Sequence, residues 1–174
     1  MANNGLNPAD RRILELLQDK GRIPNVQLAA EVGLSPSAVL ERVRKLEERG
    51  IIERYVAIVD HKRVGLGTAA FVAVSLNLHQ KDSIENFHRF VAGSSKVLEC
   101  HHVAGTEDYL LKVLSHDIDD YEHFLLNELT RIHGGDRVRT MFVLSTLKRE
   151  TAIPIEAVEN EGNNRTNANQ RKGV

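Results

Sequence analysis

Between Asn7 and Gly50 the chain repeats one pattern three times: a capping or proline start, an apolar stripe at helical spacing, then a glycine. Ile13, Leu14, Leu16 and Leu17 mark a first helix. Asn7 is its N-cap and Pro8 sits at the first helical position, where a missing N–H does no harm. Gly21 is expected to end it in the left-handed conformation. A shorter second helix fits Pro24–Val32, with Val26, Leu28 and Ala29 as apolar positions and Gly33 as its stop. The third opens on Ser35 and Pro36 and runs to Arg49. After Gly50 the period changes from helix to strand. Ile52–Val59, Ala69–Leu78, Lys96–Val103, Tyr109–Leu114 and Val138–Leu147 read as strands. Asp82–Ala92 and Asp117–Arg131 read as amphipathic helices, and Asp60–Gly67 as a connection. From Thr68 onward the order is β-α-β-β-α-β, a split βαβ with both helices on one face of the sheet.

The link between the second and third helices carries the chemistry. Gly33 and Leu34 leave too little chain for the helices to lie antiparallel, so they must cross steeply, as in a helix-turn-helix. On the third helix Val39, Val43 and Leu46 share one face and point to the core. Ser37, Ala38, Glu41, Arg44 and Lys45 fall opposite, with Arg42 and Arg49 on a flank and Ser35 at the start. Small residues at the N-terminal end admit the backbone to a major groove, and cations further along can meet phosphate. A plain three-helix unit with a charged surface has the same pattern, and Glu41, Glu47 and Glu48 dilute the positive face.

Charge then qualifies the picture. The net charge is −1, and residues 1–60 carry nine Lys/Arg against nine Asp/Glu. Phosphate neutralisation supplies much of DNA-binding free energy, so one copy should bind weakly. The strands of the second half are apolar on both sides, as in Phe71, Val72 and Val74 or Leu110, Leu111 and Val113. An uncovered apolar sheet face is improbable on a monomer, and packing two such sheets together relieves it. No run approaches the roughly 20 apolar residues of a membrane helix, the first residues do not resemble a signal peptide, and a cytoplasmic protein without membrane attachment is expected. The single cysteine, Cys100, precludes an intrachain disulfide. Cys100 and His102 face one side of a strand and His101 the other, so no metal site is expected, and no cofactor. No nucleophile elbow, phosphate loop or paired-carboxylate motif marks an enzyme.

Residues Leu34-Ser-Pro-Ser-Ala-Val-Leu-Glu-Arg-Val-Arg-Lys-Leu-Glu-Glu-Arg-Gly-Ile-Ile52 resemble the recognition helix of the Lrp/AsnC family, the leucine-responsive and feast/famine regulators. Asp10-Arg-Arg-Ile-Leu14, Gly21-Arg-Ile23 and Tyr55-Val-Ala57 resemble that family too, and Glu99-Cys-His-His-Val-Ala-Gly-Thr-Glu-Asp-Tyr-Leu-Leu-Lys112 resembles its effector-domain signature. The likeness spans about residues 6–153. It implies an α+β chain with a winged helix-turn-helix over 1–60, a linker over 61–67 and a ferredoxin-like effector and assembly domain over 68–153; the tail over 154–174, rich in Asn, Arg, Gly and Glu from Glu159 on, is expected to be disordered.

The function implied is a transcriptional regulator that binds double-stranded DNA as a homodimer, tetramer or octamer and senses an amino acid or related metabolite. The alternative is an architectural DNA-wrapping protein whose sheet domain serves only assembly. By the residues alone, Gly105, Thr106, Glu107, Asp108 and Tyr109 form either an ordinary polar hairpin turn or a ligand mouth in which Asp108 meets an ammonium group. The resemblance favours the effector site, bordered by Met141 and Val143 of the last strand.

Overall fold

The computed structural model describes residues 5–76, 81–133 and 137–155, in two compact units. The first comprises the described residues up to Ala57 together with 149–155; the second is Ile58–Lys148. The expected tail lies almost wholly outside the described residues, as do positions 77 and 78 of the expected strand Ala69–Leu78.

In the first unit three helices enclose a small core: α1 (Pro8–Asp19), α2 (Asn25–Val32) and α3 (Pro36–Glu48). Asn7 caps α1 by accepting the Asp10 N–H at 2.9 Å. Ile13, Leu14 and Leu16 bury against Leu28, Ala29, Val39 and Leu46. Gly33 adopts φ +73°, and the Leu34 N–H closes on the Ala29 carbonyl at 3.0 Å, ending α2 and turning the chain directly into α3. Gly21 does not take the left-handed conformation expected of it. The chain leaves α1 through Lys20, whose N–H closes on the Leu16 carbonyl at 2.8 Å, so no positive φ is needed.

Residues 149–155 fall in the same compact unit as the helices. The side-chain amide of Gln18, on α1, donates to the Ile153 carbonyl at 3.1 Å and accepts the Ile153 N–H at 2.8 Å. Ile155 packs against the helical core.

The second unit is a four-stranded antiparallel sheet in the order β2-β3-β1-β4, made from β1 (Thr68–Val74), β2 (Val97–His102), β3 (Tyr109–Ser115) and β4 (Val138–Phe142). Helix α4 (Lys81–Gly93) links β1 to β2. α5 (Ile118–His123), a π-helical stretch (Phe124–Leu129) and α6 (Thr130–His133) link β3 to β4. This is the ferredoxin-like βαββαβ order. Ala70, Val72, Val74, Leu111 and Val113 bury against Phe87, Tyr121, Phe124 and Leu129 of the helices. The opposite face carries Phe71 and Met141, each 38% exposed, beside the Glu99–Lys112 ion pair at 2.6 Å. It is therefore less uniformly apolar than the sequence suggested.

The expected strand Ile52–Val59 does not form. Its β-branched and aromatic residues suit a strand, but among the described residues no strand pairs with it, and a strand needs a partner. β4 stops at Phe142 rather than Leu147, because β1 offers no further pairing after Val143 N–H meets the Ala69 carbonyl at 2.9 Å.

Two glycines give contrasting expectations. A Cβ at Gly33 would touch nothing within 4 Å, yet φ +73° strains any L side chain, so Gly33→Ala should lower stability by about 1 kcal/mol in urea unfolding. Gly105 has equally open surroundings without a positive φ, and Gly105→Ala should leave the unfolding midpoint unchanged.

Candidate nucleic-acid interface and ligand turn

Ser35 caps α3, accepting the Ala38 N–H at 3.3 Å, and its hydroxyl lies 3.2 Å from that of Ser37. Asn25 of α2 donates to the Pro36 carbonyl at 2.8 Å, pinning the start of the helix. Val39 and Leu46 are fully buried and Val43 is half-buried, as their spacing predicts. Ser37, Glu41, Arg44, Lys45 and Arg49 are exposed, and Ala38 is half-buried at the helix start. Leu40, 61% exposed on this outer side, was not singled out by sequence reasoning, which sorted residues by charge and size.

The outward cations are not bare. Lys45 Nζ lies 2.6 Å from Glu41, and Arg44 Nε lies 2.9 Å from Glu48, both pairs one helical turn apart and solvent-exposed. The Lys45 hydrogen bond, then its charge, holds the Glu41 carboxyl below the usual range. Exposed pairs of this spacing are worth about 0.3–0.5 kcal/mol, so an arriving phosphate can displace the carboxylate. Arg42 behaves differently. It turns toward α1 and meets Asp10, which is 7% exposed, at 2.9 Å. The flank position left its direction open, and the structure gives it a partner inside the unit. A cavity of about 460 Å³ opens beside it, lined among others by Asn7, Asp10, Ala38, Lys45 and Arg49.

In the second unit the β2–β3 connection is held at its base by Asp108. Its N–H donates to the Val74 carbonyl at 3.0 Å, its carbonyl accepts the Val103 N–H at 2.9 Å, and its carboxylate accepts the Leu76 N–H at 2.8 Å. Asp108 thus ties the turn to the end of β1, and one carboxylate oxygen is already engaged. Tyr109 turns away from the mouth into the helix-side core, where its hydroxyl lies 2.9 Å from His88 Nε2 and its ring packs on Phe87. Burial pushes its phenol pKa up.

Thr106 is the turn's exposed polar side chain, and Glu107 beside it is half-buried. Thr106 Oγ1 donates to Glu107 at 2.6 Å, and Arg139 of β4 meets the other Glu107 oxygen at 2.6 Å. The Thr106 hydrogen bond, then Arg139, lowers the Glu107 pKa. Met141 and Val143 follow Arg139 at alternate positions, the register leading away from the turn, from Ala73 to Phe71. The structure therefore brings Thr106, Glu107 and Arg139 together and turns Tyr109 inward. Arg139 and His88 were missed as contributors, since partners 32 and 21 residues away leave no local signal. Among the described residues no group of three or more His, Cys, Asp or Glu side chains could hold a metal ion. Cys100 is half-buried, which pushes its thiol pKa up. No helix of the described residues is long and apolar enough to cross a membrane.

The family model of a winged helix-turn-helix DNA-binding domain matches residues 6–53, and that of the Lrp/AsnC ligand binding domain matches residues 69–153. The leucine-responsive regulatory protein of Escherichia coli is 38% identical over 151 residues, 87% of this chain and 92% of that protein. Transcriptional regulator AzlB of Bacillus subtilis is 34% identical over 151 residues, 87% of this chain and 96% of that one. A Neisseria meningitidis transcriptional regulator solved as its L-Met complex superimposes with TM-score 0.81 at 38% identity, covering 86% of this chain and 96% of that one. E. coli AsnC gives TM-score 0.78 at 28% identity, covering 86% and 99%.

Arg42 and Arg44 should separate in experiment. Arg42→Ala leaves Asp10 buried without its cation and should cost about 2 kcal/mol of stability in denaturant titration. Arg44→Ala should leave the unfolding midpoint within about 0.5 kcal/mol of the parent.

Proposed function

We propose, from the fact that this chain belongs to the Lrp/AsnC family of DNA-binding transcriptional regulators, a division of labour between its two units. The family consists of regulators and not of enzymes. The chain is a transcriptional regulator with a helix-turn-helix and an amino-acid-responsive ligand-binding domain. Helix α3 enters the major groove with Ser35, Ser37 and Ala38 nearest the bases. Arg44, Lys45 and Arg49 meet phosphate, and Glu41 gives up Lys45 as they do so. Arg42 acts through Asp10, holding α3 against α1. The observation that carries this reading is the capped, exposed α3, whose core face packs inward while Arg44 and Lys45 on its outer side make solvent-exposed ion pairs one turn away.

The turn Gly105–Tyr109 takes an amino acid. A Cβ at Gly105 would meet no atom of its own chain within 4 Å, so if glycine is needed there, the demand comes from a ligand or a second subunit. Thr106, Glu107 and the remaining lone pairs of Asp108 offer acceptors for an ammonium group. Met141 and Val143 border an apolar side chain. The working form is a homodimer, in which Phe71 and Met141 are covered by the same face of a second copy, and tetramers or octamers are built on it. Pairing also answers the near-neutral charge, because two linked heads gain effective concentration on an operator with two half-sites. The protein works on cytoplasmic DNA.

Gel-shift titration at two salt concentrations and calorimetry with the twenty amino acids test the two halves separately. The full chain should bind DNA with an affinity that falls as salt rises, and Lys45→Ala should lessen the log–log salt slope by about 1 for each head engaged. At least one amino acid should give heat, and Gly105→Val should abolish that heat while leaving DNA affinity and melting intact. Absence of DNA binding at low salt would sink the first half; undiminished heat from Gly105→Val would move the ligand elsewhere.

A further inference from the structure

In the first half of α3, from Pro36 to Glu41, one large apolar side chain is left open to water: Leu40, 61% exposed. Its neighbours are otherwise engaged. Val39 is fully buried, and Val43 packs against the helical core. Glu41 is paired with Lys45. Ser37 and Ala38 are too short to reach far from the backbone. Leu40 stands three residues after Ser37 and four before Arg44, so the three share one side of the helix. The backbone that carries it is fixed at its start, where Ser35 Oγ accepts the Ala38 N–H at 3.3 Å and the Asn25 amide donates to the Pro36 carbonyl at 2.8 Å. A single exposed leucine is ordinary on a protein surface. Its place sets this one apart, because the first residues of a recognition helix are the ones that meet base edges.

We propose that Leu40 is a specificity-determining residue of the DNA contact, packing against the C5-methyl group of a thymine in the major groove. In that groove guanine, cytosine and adenine present hydrogen-bond donors and acceptors, whereas thymine adds an apolar methyl group to its O4 acceptor. An isobutyl side chain makes no hydrogen bond. Set over the edge of another base, it displaces water from a donor or acceptor and puts nothing in its place. Set over thymine, it covers apolar surface with apolar surface. Leu40 thus favours one base and penalises the other three by the same contact. The side chains around it do not divide the bases this way. A serine hydroxyl donates or accepts, so Ser37 suits several base edges, and Arg44 and Lys45 at phosphate carry no sequence information. The proposal rests on the reading that α3 lies in the major groove.

The test uses the full-length protein and the DNA site it selects from a random duplex pool. Each thymine of that site is replaced in turn by deoxyuridine, which removes the methyl group and leaves O4 and the base pairing in place, and affinity is read by gel shift at one salt concentration. At one thymine position the parent should lose about three- to fivefold, the value of one buried methyl group. Leu40→Ala should bind the unaltered site about three- to fivefold more weakly and lose less than about 1.5-fold on deoxyuridine at that position, while its response at the other thymines matches the parent's. Its unfolding midpoint should be that of the parent, since Leu40 lies outside the helical core. A second variant, Leu40→Gln, taken back to the random pool, should select adenine in place of thymine at that position and keep the rest of the site, because a glutamine amide bonds adenine N6 and N7. A parent indifferent to deoxyuridine at every position overturns the proposal. So does a Leu40→Ala variant with the parent's full deoxyuridine response, which would leave Leu40 acting on DNA only through the shape of the helix. Failure of the parent to select any DNA would instead overturn the regulator reading, with the Leu40 variants playing no part.

Discussion

β1 hydrogen-bonds to β3 along one side and to β4 along the other, and that double pairing organises the second unit. It places the ends of β2 and β3, and so the turn between them, against the end of β1, through Asp108 and Val74. It also brings Arg139 of β4 across to Glu107 of the turn. The same pairing spends both helical crossovers on one face of the sheet. The other face leaves Phe71 and Met141 half open to water. An open sheet face and a turn tied to the central strand thus arise from one constraint: a central strand with two neighbours and cover on one side.

Electrostatics in the helical unit follow a complementary logic. A protein of net charge −1 has no broad positive field to draw it onto DNA. Its cations on α3 are instead matched one turn away by carboxylates, Lys45 by Glu41 and Arg44 by Glu48. Such pairs are cheap to open and lower the cost of carrying exposed cations that would attract any polyanion. Selection then falls on shape and base contacts rather than on charge alone. The partly buried pair of Arg42 with Asp10 fixes α3 on α1.

Legibility in the sequence tracked the range of the interactions concerned. Caps, stripes and glycine stops are local, and so Asn7, Ser35, Gly33 and the face of Val39 and Leu46 were read correctly. The β-α-β-β-α-β order follows from the change of period and from lengths. Interactions that join distant positions were invisible: Glu107 with Arg139, His88 with Tyr109, Gln18 with Ile153. Helical position fixes where a Cβ points, but the reach of an arginine exceeds that, which is why Arg42 could be placed on a flank and still find Asp10. Ile52–Val59 has the composition of a strand and lacks only a partner, and no sequence pattern reports whether a partner is present.

Asp108 holds the turn by three hydrogen bonds, two of them to Val74 at the end of β1 and to Leu76 two residues beyond it. A loop fixed so firmly has little slack with which to accommodate a guest. Whatever seats itself against Gly105 and Glu107 presses not on a pliable flap but on the end of the sheet's central strand. A displacement there would bear on β1 and on the two strands paired with it, β3 and β4. The turn is in this sense less a lid than the short arm of a lever, with the sheet as its beam.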